Sequence, residues 1–182
     1  MKKAIFLDRD GTLIEEGGYV YSIDKVKFYP DVFDALKILS KEYIFFIITN
    51  QSGIGEGVYT LKEFEITNDY IIEQLKQKDI RIEGTYFCPH KKDDKCDCRK
   101  PSIKYIKKII SEFREISLED SWVIGDHPCD VLMGINAGCK TAYLLTGHGE
   151  KHLNELQASG IKPTIIAKNF MQAAKEILKY KE

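Results

Sequence analysis

The sequence predicts a three-layer α/β fold, in which a mainly parallel β-sheet is covered by helices on both faces. Short apolar segments alternate with longer segments of helical periodicity along nearly the whole chain. Most of the apolar segments are continuous, which is typical of parallel strands that are buried on both faces. Polar, chemically capable side chains follow several of these segments. In such folds ligands bind beyond the carboxyl ends of the strands, so a site is expected there.

Five elements are predicted in the N-terminal half of the chain. The strands are continuous apolar runs that end in polar residues, and the helices place apolar side chains at helical spacing. Pro30 precedes the first helix, and Thr60 is a typical N-cap residue for the second. In order, the elements are strand 4–7, helix 31–41, strand 43–48, helix 60–78 and strand 85–87.

Six further elements are predicted in the C-terminal half. Pro101 is expected at the start of a helix, where its missing N–H leaves no hydrogen bond unmade. That helix has isoleucines at helical spacing, and the later strands are again short apolar runs. In order, the elements are helix 101–113, strand 121–124, helix 131–137, strand 141–145, strand 164–166 and helix 169–179.

Length and composition predict one domain over residues 1–182 and exclude several classes of protein. Lys and Arg number 27 and Asp and Glu 28, and this net charge of −1 argues against a general nucleic-acid-binding protein. The first apolar run stops at Asp8, too early for a signal peptide, and no stretch reaches the roughly 20 apolar residues of a membrane span. Five cysteines is an odd count, which favours reduced thiols in the cytoplasm over a disulfide framework. No helix has a surplus apolar face, so a monomer is expected.

Carboxylates follow two of the predicted strands. Asp8 and Asp10 come directly after the first strand, and Asp126 follows the strand at 121–124. Oxygen ligands of this kind suit a hard divalent cation such as Mg²⁺. A carboxylate can also accept a phosphoryl group as an aspartyl-phosphate. Each residue alone would be an ordinary turn or cap residue, but together they predict a phosphoryl-transfer site.

Two further residues complete that constellation. Thr49 follows the second strand, and Lys100 lies in the segment Arg99-Lys100-Pro101. A hydroxyl and a cation at these positions would bind the oxygens of a phosphate group.

The order of these motifs resembles the haloacid dehalogenase-like superfamily of phosphatases. Residues 6–13 resemble its first signature, Thr49 and Asn50 its second, Lys100 its third, and Asp126 with the preceding glycine its fourth. The resemblance implies a Rossmann-like core and a Mg²⁺-dependent mechanism with an aspartate nucleophile. No large insertion separates the motifs, so a core without a large cap domain is expected, with a small phosphorylated metabolite as substrate.

The resemblance also implies a role for individual residues. Asp8 is expected to be the nucleophile, and Asp10 the group that protonates the leaving oxygen and then activates water. Magnesium is expected on Asp8, Asp10 and Asp126, with Asp130 in support. The residues expected to bind phosphate and substrate are Thr49, Asn50, Ser52, Arg99 and Lys100.

Three cysteines and a histidine lie within eleven residues and predict a structural zinc site. The residues are Cys88, His90, Cys96 and Cys98, a Cys₃His set that suits tetrahedral zinc. The loop between them, residues 91–95, contains nothing apolar, so a metal would hold a segment that has little core of its own. The alternative is three free thiols with a surface histidine. Because the cluster ends next to Arg99 and Lys100, the metal would also fix the loop that presents these cations.

The cluster narrows the resemblance to one branch of the superfamily. That branch contains D-glycero-D-manno-heptose 1,7-bisphosphate 7-phosphatases and histidinol-phosphate phosphatases, both with a structural zinc beside the third motif. Residues 49–54, residues 18–20 and residues 144–147 favour the heptose enzymes. The short loop from His90 to Cys96 is closer to the histidinol-phosphate type. A heptose bisphosphate is therefore the expected substrate, with histidinol phosphate as the alternative.

Two positions depart from the heptose pattern. Glu56 stands where the heptose enzymes usually carry an arginine, and His127 where a lysine or arginine often follows the motif aspartate. A carboxylate beside a second phosphate would weaken its binding. Arg99, Lys91 and Lys92 are candidates to compensate.

Two other classes of function stay open at this stage. A zinc-stabilised binding protein could keep the fold without turnover, although the complete set of carboxylates and Lys100 argues against it. A phosphotransferase could pass the phosphoryl group to an acceptor other than water, and the sequence does not separate this reaction from hydrolysis.

Overall fold

A computed structural model describes residues 1–180 of the chain. Its centre is one six-stranded sheet in which all neighbouring strands are parallel, in the order β3-β2-β1-β4-β5-β6. The strands are β1 Lys3–Leu7, β2 Tyr43–Asn50, β3 Ile82–Cys88, β4 Trp122–Gly125, β5 Lys140–Leu144 and β6 Ile165–Ala167. The predicted α/β class with a parallel sheet is confirmed.

Seven helices connect or flank these strands in the described residues. They are α1 Val32–Leu39, α2 Ser52–Gly55, α3 Leu61–Lys76, α4 Lys104–Glu112, α5 Pro128–Ala137, α6 Gly149–Ala158 and α7 Phe170–Lys179. Thr60 begins α3 with a capping box, since its hydroxyl accepts the N–H of Glu63 while the Glu63 carboxylate accepts the N–H of Thr60. None of these helices is long and apolar enough to cross a membrane.

The two faces of the sheet are covered by different helices, which makes three layers. Along β1 successive side chains alternate between the faces, so Ile5 and Leu7 pack with α1 and α7 while Ala4 and Phe6 pack towards α4 and α5. Trp122 of β4 is fully buried on the first of these faces. Burial on both sides explains why the strands were recognisable as continuous apolar runs.

One predicted helix needs correction, and two helices were not predicted. Pro101 does not open a helix: α4 begins three residues later, at Lys104. Helix α6 was not predicted, although its N-terminal residues reach the edge of the sheet where the site was expected. The short helix α2 was also missed.

The strand order reverses between β1 and β4, at the centre of the sheet. The backbone N–H of Asp8, just after β1, donates to the carbonyl of Ile124 in the neighbouring β4, at 2.9 Å. Parallel strands all end at the same edge of a sheet, and the point where the order reverses leaves a crevice between the loops. The loops after β1, β2, β4 and β5 therefore meet there.

Candidate active site

A pocket lies at this edge, and most of the residues predicted for the site line it. Asp8 and Asp10 come from the loop after β1, Thr49 and Asn50 from the end of β2, and Asp126 from the loop after β4. Arg99, Lys100 and Asp130 also line the pocket, whereas Ser52 does not. Residues not predicted for the site that line it are Glu16, Gly18, Tyr19, Val20, Gln51, Tyr59, His127, Cys129 and His148.

A buried lysine sits between two carboxylates at the base of the pocket. Lys100 Nζ lies 2.6 Å from Asp8 Oδ1 and 2.7 Å from Asp130 Oδ1. All three side chains are at least nine-tenths buried. Burial alone would lower the pKa of Lys100, but the charges of Asp130 and Asp8 outweigh it and raise that pKa. The lysine is therefore a permanent cation beneath the pocket.

The carboxylates near Lys100 oppose one another's ionisation. Burial raises the pKa of Asp8 to about 6, although the charge of Lys100 acts against it. Burial also raises the pKa of Asp126 to about 9, and the charges of Asp8 and Asp130 add to this shift. With Asp8, Asp126 and Asp130 ionised, one lysine leaves a net charge of −2, which is the charge that a divalent cation neutralises.

This carboxylate group has the chemistry of a magnesium site. Asp8, Asp126 and Asp130 each offer an oxygen, and these oxygens all lie within 4.8 Å of one another. Hard oxygen donors in a buried, under-neutralised cluster fit Mg²⁺. Asp130, expected in a supporting role, belongs to this group, whereas the side-chain carboxylate of Asp10 is bonded to other side chains and is not part of it.

Asp10 is held by Arg9 and Gln51. Arg9 Nε donates to Asp10 Oδ2 and Arg9 Nη2 to Asp10 Oδ1, both at 2.9 Å. Gln51 Nε2 donates to Asp10 Oδ2 at 2.8 Å and lies 2.9 Å from Thr49 Oγ1. The Arg9 side chain is fully buried, whereas Asp10 keeps 16% of its side chain exposed, towards the pocket.

The loops that cover the pocket are fixed to one another through backbone groups. The N–H of Lys100 donates to Asn50 Oδ1 at 3.0 Å, which joins the end of β2 to the loop that precedes α4. The N–H of His148 donates to Asp126 Oδ2 at 2.7 Å. Gly147 has a φ of +50°, and a Cβ there would collide with the Asp126 carboxylate, so a larger residue would displace this ligand group.

The two positions that depart from the heptose pattern have local partners. The carboxylate of Glu56 accepts the hydroxyl of Tyr19, and Glu56 does not line the pocket. His127 caps α5, because its Nδ1 accepts the N–H of Cys129 at 3.2 Å. Burial lowers the pKa of His127 to about 4, so the imidazole is neutral. Arg99 and Lys100 are therefore the cationic side chains among the described residues that line the pocket.

The four predicted zinc ligands converge on one point beside the pocket. Cys98 Sγ lies 3.2 Å from both Cys88 Sγ and His90 Nδ1, and Cys88 Sγ lies 3.7 Å from Cys96 Sγ. A tetrahedral site with Zn–S bonds of about 2.3 Å has edges of about 3.8 Å between sulfur atoms. The spacing of the four ligands fits a zinc ion of this geometry.

The chemistry of this cluster also fits a metal. All five cysteines are free. Burial raises the pKa of Cys88 to about 12, and the neighbouring thiols Cys98 and Cys96 add to the shift. A thiol in this state becomes a thiolate only when a cation is present. Cys98 is followed at once by Arg99 and Lys100, so the cluster holds the start of the segment that enters the pocket.

The chain is similar to known phosphatases over most of its length. A family model described as HAD-hydrolase-like matches residues 97–173. A D-glycero-β-D-manno-heptose-1,7-bisphosphate 7-phosphatase of Helicobacter pylori is 42% identical over 79% of this chain and 83% of its own length. The enzyme of the same name from Haemophilus influenzae is 39% identical over 82% of this chain and 88% of its own.

A solved structure extends the similarity to the whole fold. The D,D-heptose 1,7-bisphosphate phosphatase from B. bronchiseptica, complexed with magnesium and phosphate, superimposes with a TM-score of 0.88. It is 27% identical in sequence and covers 97% of this chain and 98% of its own. The chain therefore belongs to the haloacid dehalogenase-like phosphatases, and the family expected from the sequence motifs is confirmed. Within that family, its relatives named here are heptose bisphosphate phosphatases.

Proposed function

We propose that this protein is a magnesium-dependent phosphatase that removes the 7-phosphate of D-glycero-D-manno-heptose 1,7-bisphosphate. The observation that carries the proposal is the buried group of Asp8, Asp126 and Asp130 around Lys100, at the edge where the strand order reverses. The names of the similar enzymes support this substrate. Magnesium, when bound by Asp8 and Asp126 with Asp130 behind them, would offset the charge between the phosphoryl group and the attacking carboxylate.

In the first step Asp8 attacks phosphorus through a carboxylate oxygen. The new bond joins Asp8 to phosphorus, and the bond from phosphorus to the sugar oxygen breaks. Asp10, which faces the pocket, gives its proton to that leaving oxygen. The product of this step is an aspartyl-phosphate on Asp8 and a free sugar hydroxyl.

In the second step water replaces the Asp8 oxygen on phosphorus. Asp10 takes a proton from the water, the Asp8–phosphorus bond breaks, and inorganic phosphate leaves. Lys100, Thr49 and the amide of Asn50, which line the pocket, are proposed to bind the phosphoryl oxygens in both steps. Water is proposed as the acceptor, so transfer to a second metabolite is the reaction that product analysis must exclude.

Zinc is proposed on Cys88, His90, Cys96 and Cys98, in a structural role. The close spacing of the four ligand atoms supports this assignment. The loop of residues 91–95 is exposed and has no apolar anchor. A metal at its base would hold Arg99 and Lys100 at the pocket. Because the site needs thiolates, we also propose that the protein works in the reducing cytoplasm. We further propose that it is a monomer with a single domain.

Arg99 is proposed to bind the phosphate that is not removed. It lines the pocket and is only partly buried, whereas Lys100 is buried beside Asp8, where the phosphate that is removed would lie. Glu56 bonds to Tyr19 instead of facing the pocket, so it does not oppose a second phosphate there. Ser52, which lies outside the pocket lining, is proposed to act on substrate only through the position of its loop.

The test is phosphate release from a panel of substrates. The panel contains both anomers of heptose 1,7-bisphosphate, the heptose 1-phosphate and 7-phosphate, histidinol phosphate and other sugar phosphates. We expect the bisphosphate to have the highest kcat/KM and the 1-phosphate to be a product that is not consumed. Arg99→Met should lower kcat/KM for the bisphosphate more than for the 7-phosphate. A preference for histidinol phosphate would overturn the assigned substrate and keep the phosphatase mechanism.

A further inference from the structure

The side chain between the two aspartates of the first motif is a fully buried arginine. Arg9 has no exposed surface, and its guanidinium packs over the ring of Phe64 at 5.2 Å from the ring centre. Burying a guanidinium has a large desolvation cost. A protein with an apolar residue of similar volume at such a position is often equally stable. Fold stability therefore does not explain an arginine at this position.

The partners of Arg9 point to the pocket. Its Nε and Nη2 atoms donate to the two oxygens of Asp10 in a bidentate pair, each at 2.9 Å. Nη2 also donates to the carbonyl of Val20 at 3.0 Å. Paired and parallel N–H groups of this kind fix the plane of a carboxylate, which a single ammonium group does not do.

Gln51 is a second side chain that holds the Asp10 carboxylate. Gln51 Nε2 donates to Asp10 Oδ2, and Gln51 Oε1 accepts both the hydroxyl of Tyr59, at 2.6 Å, and a longer contact from Arg9 Nη2, at 3.3 Å. The amide of Gln51 is thereby held in one orientation. The Asp10 carboxylate accepts three N–H groups and cannot turn without breaking at least one of these bonds.

We propose that Arg9 is a positioning residue that holds the Asp10 carboxylate in the orientation needed for proton transfer to the leaving oxygen. The inference rests on the proposed function, in which Asp10 is the acid and base. Arg9 does not line the pocket, so it would contact neither the substrate nor a metal there. Its effect should therefore depend on how much a substrate needs a proton on its leaving group, since a misplacement of about 1 Å can cost about 10²-fold in rate.

Two substrates with different leaving groups separate this role from a structural one. Heptose 1,7-bisphosphate has an alkoxide leaving group, which needs a proton, whereas p-nitrophenyl phosphate releases a phenolate that is stable without one. In Arg9→Met we expect kcat to fall about 10²-fold for the bisphosphate and by about threefold or less for the aryl phosphate. Arg81→Met is the matched control, because Arg81 pairs with Glu83 on the surface, and it should change neither rate.

A second variant keeps the test valid if Arg9→Met does not fold. Arg9→Lys retains the charge but cannot bridge both oxygens of Asp10, so it should give a smaller loss with the same preference for the aryl phosphate. The double variant Arg9→Met/Asp10→Asn, or Arg9→Lys/Asp10→Asn, should be no slower than Asp10→Asn alone, because Arg9 acts through Asp10.

The outcomes distinguish the proposal from the function on which it rests. Equal losses on both substrates, or additive effects in the double variant, would overturn the role of Arg9 while Asp10 stays the acid and base. A wild-type rate in Asp10→Asn with the bisphosphate would overturn the proposed role of Asp10, and the role of Arg9 with it.

Discussion

The carboxylate pocket and the cysteine cluster lie side by side, but the chain builds them in opposite ways. The pocket collects residues from residue 8 to residue 148, from the segments that follow five strands, β1 to β5. The cluster takes its ligands from eleven consecutive residues, 88–98, at the end of one strand. The pocket is held by the buried core of the sheet, whereas the cluster holds an exposed loop. A site of the first kind should survive loss of its metal, and a site of the second kind should not.

The strongest test of this difference removes the nucleophile and leaves the fold. Asp8→Asn should lower kcat by about 10⁴-fold or more, because no other carboxylate can take the phosphoryl group. The melting temperature should not fall, since one of three carboxylates crowded around Lys100 becomes neutral. Phosphate release and circular dichroism measure the two effects. Asp93→Asn in the exposed loop is the control, and turnover near the wild-type rate in Asp8→Asn would refute the mechanism.

A second variant removes the cation of the pocket. Lys100→Met leaves the Asp8 and Asp130 carboxylates buried without a cation, so the free energy of unfolding should fall by about 3–5 kcal/mol. Urea unfolding measures this loss. The matched control is Lys104→Met, which breaks a surface pair with Asp97 and should change stability little. If adding Asp130→Asn to Lys100→Met restored none of the loss, the unpaired carboxylates would not be its cause.

Disrupting the cysteine cluster should disorder its own loop and weaken the pocket beside it, while the rest of the fold stays intact. Cys96→Ser should lose zinc and become open to trypsin at the lysines of residues 91–95, while the circular dichroism of the sheet and helices stays unchanged. Loss of the support for Arg99 and Lys100 should lower kcat/KM by about 10–100-fold. Metal analysis and limited proteolysis check this, with Cys139→Ser as the variant that should keep zinc. Zinc absent from freshly purified wild-type protein would reject the assignment.

The last expected effect is a rise in the melting temperature of the protein when magnesium binds. Magnesium at about 100 times its dissociation constant adds about 2.7 kcal/mol, which should raise the melting temperature by about 5–10 °C. The rise follows because the cation relieves the repulsion among Asp8, Asp126 and Asp130. Differential scanning calorimetry with Mg²⁺ and with EDTA measures it. Asp126→Asn should lose most of the shift, and an unchanged shift would place magnesium elsewhere.

The sequence predicted those site residues that belong to a short pattern of neighbouring residues. The four ligands of the cysteine cluster follow from spacing alone, and β1 and β2 follow from continuous apolar runs. Asp8, Thr49 and Asp126 were also found, because each follows directly after a predicted strand and parallel strands share one edge. Their approach to one pocket needed the fold class in addition to the motifs.

Residues that act through distant partners were missed. Gln51 lies inside a recognised motif, but its bond to Asp10 depends on the loops after β1 and β2 meeting. His148 contributes its backbone N–H to Asp126, and a backbone donor has no signature in the side-chain pattern. Helix α6 was overlooked for a similar reason, since most of its residues are polar and only Gly149 and Leu156 are fully buried. Pro101 misled the assignment of α4, because a proline suits a turn as well as a helix start.

The strand order has a consequence for how the protein is made on the ribosome. β1 leaves the ribosome early and can pair with β2, but its other edge has no partner until β4, Trp122–Gly125, has been synthesised. The cysteine ligands are complete once residue 98 has emerged. All four residues of the cysteine cluster therefore exist while β1 still has an open edge and Asp126 has not been synthesised. The cysteine loop can be completed before β4 pairs with β1, whereas the carboxylate pocket can form only after that pairing.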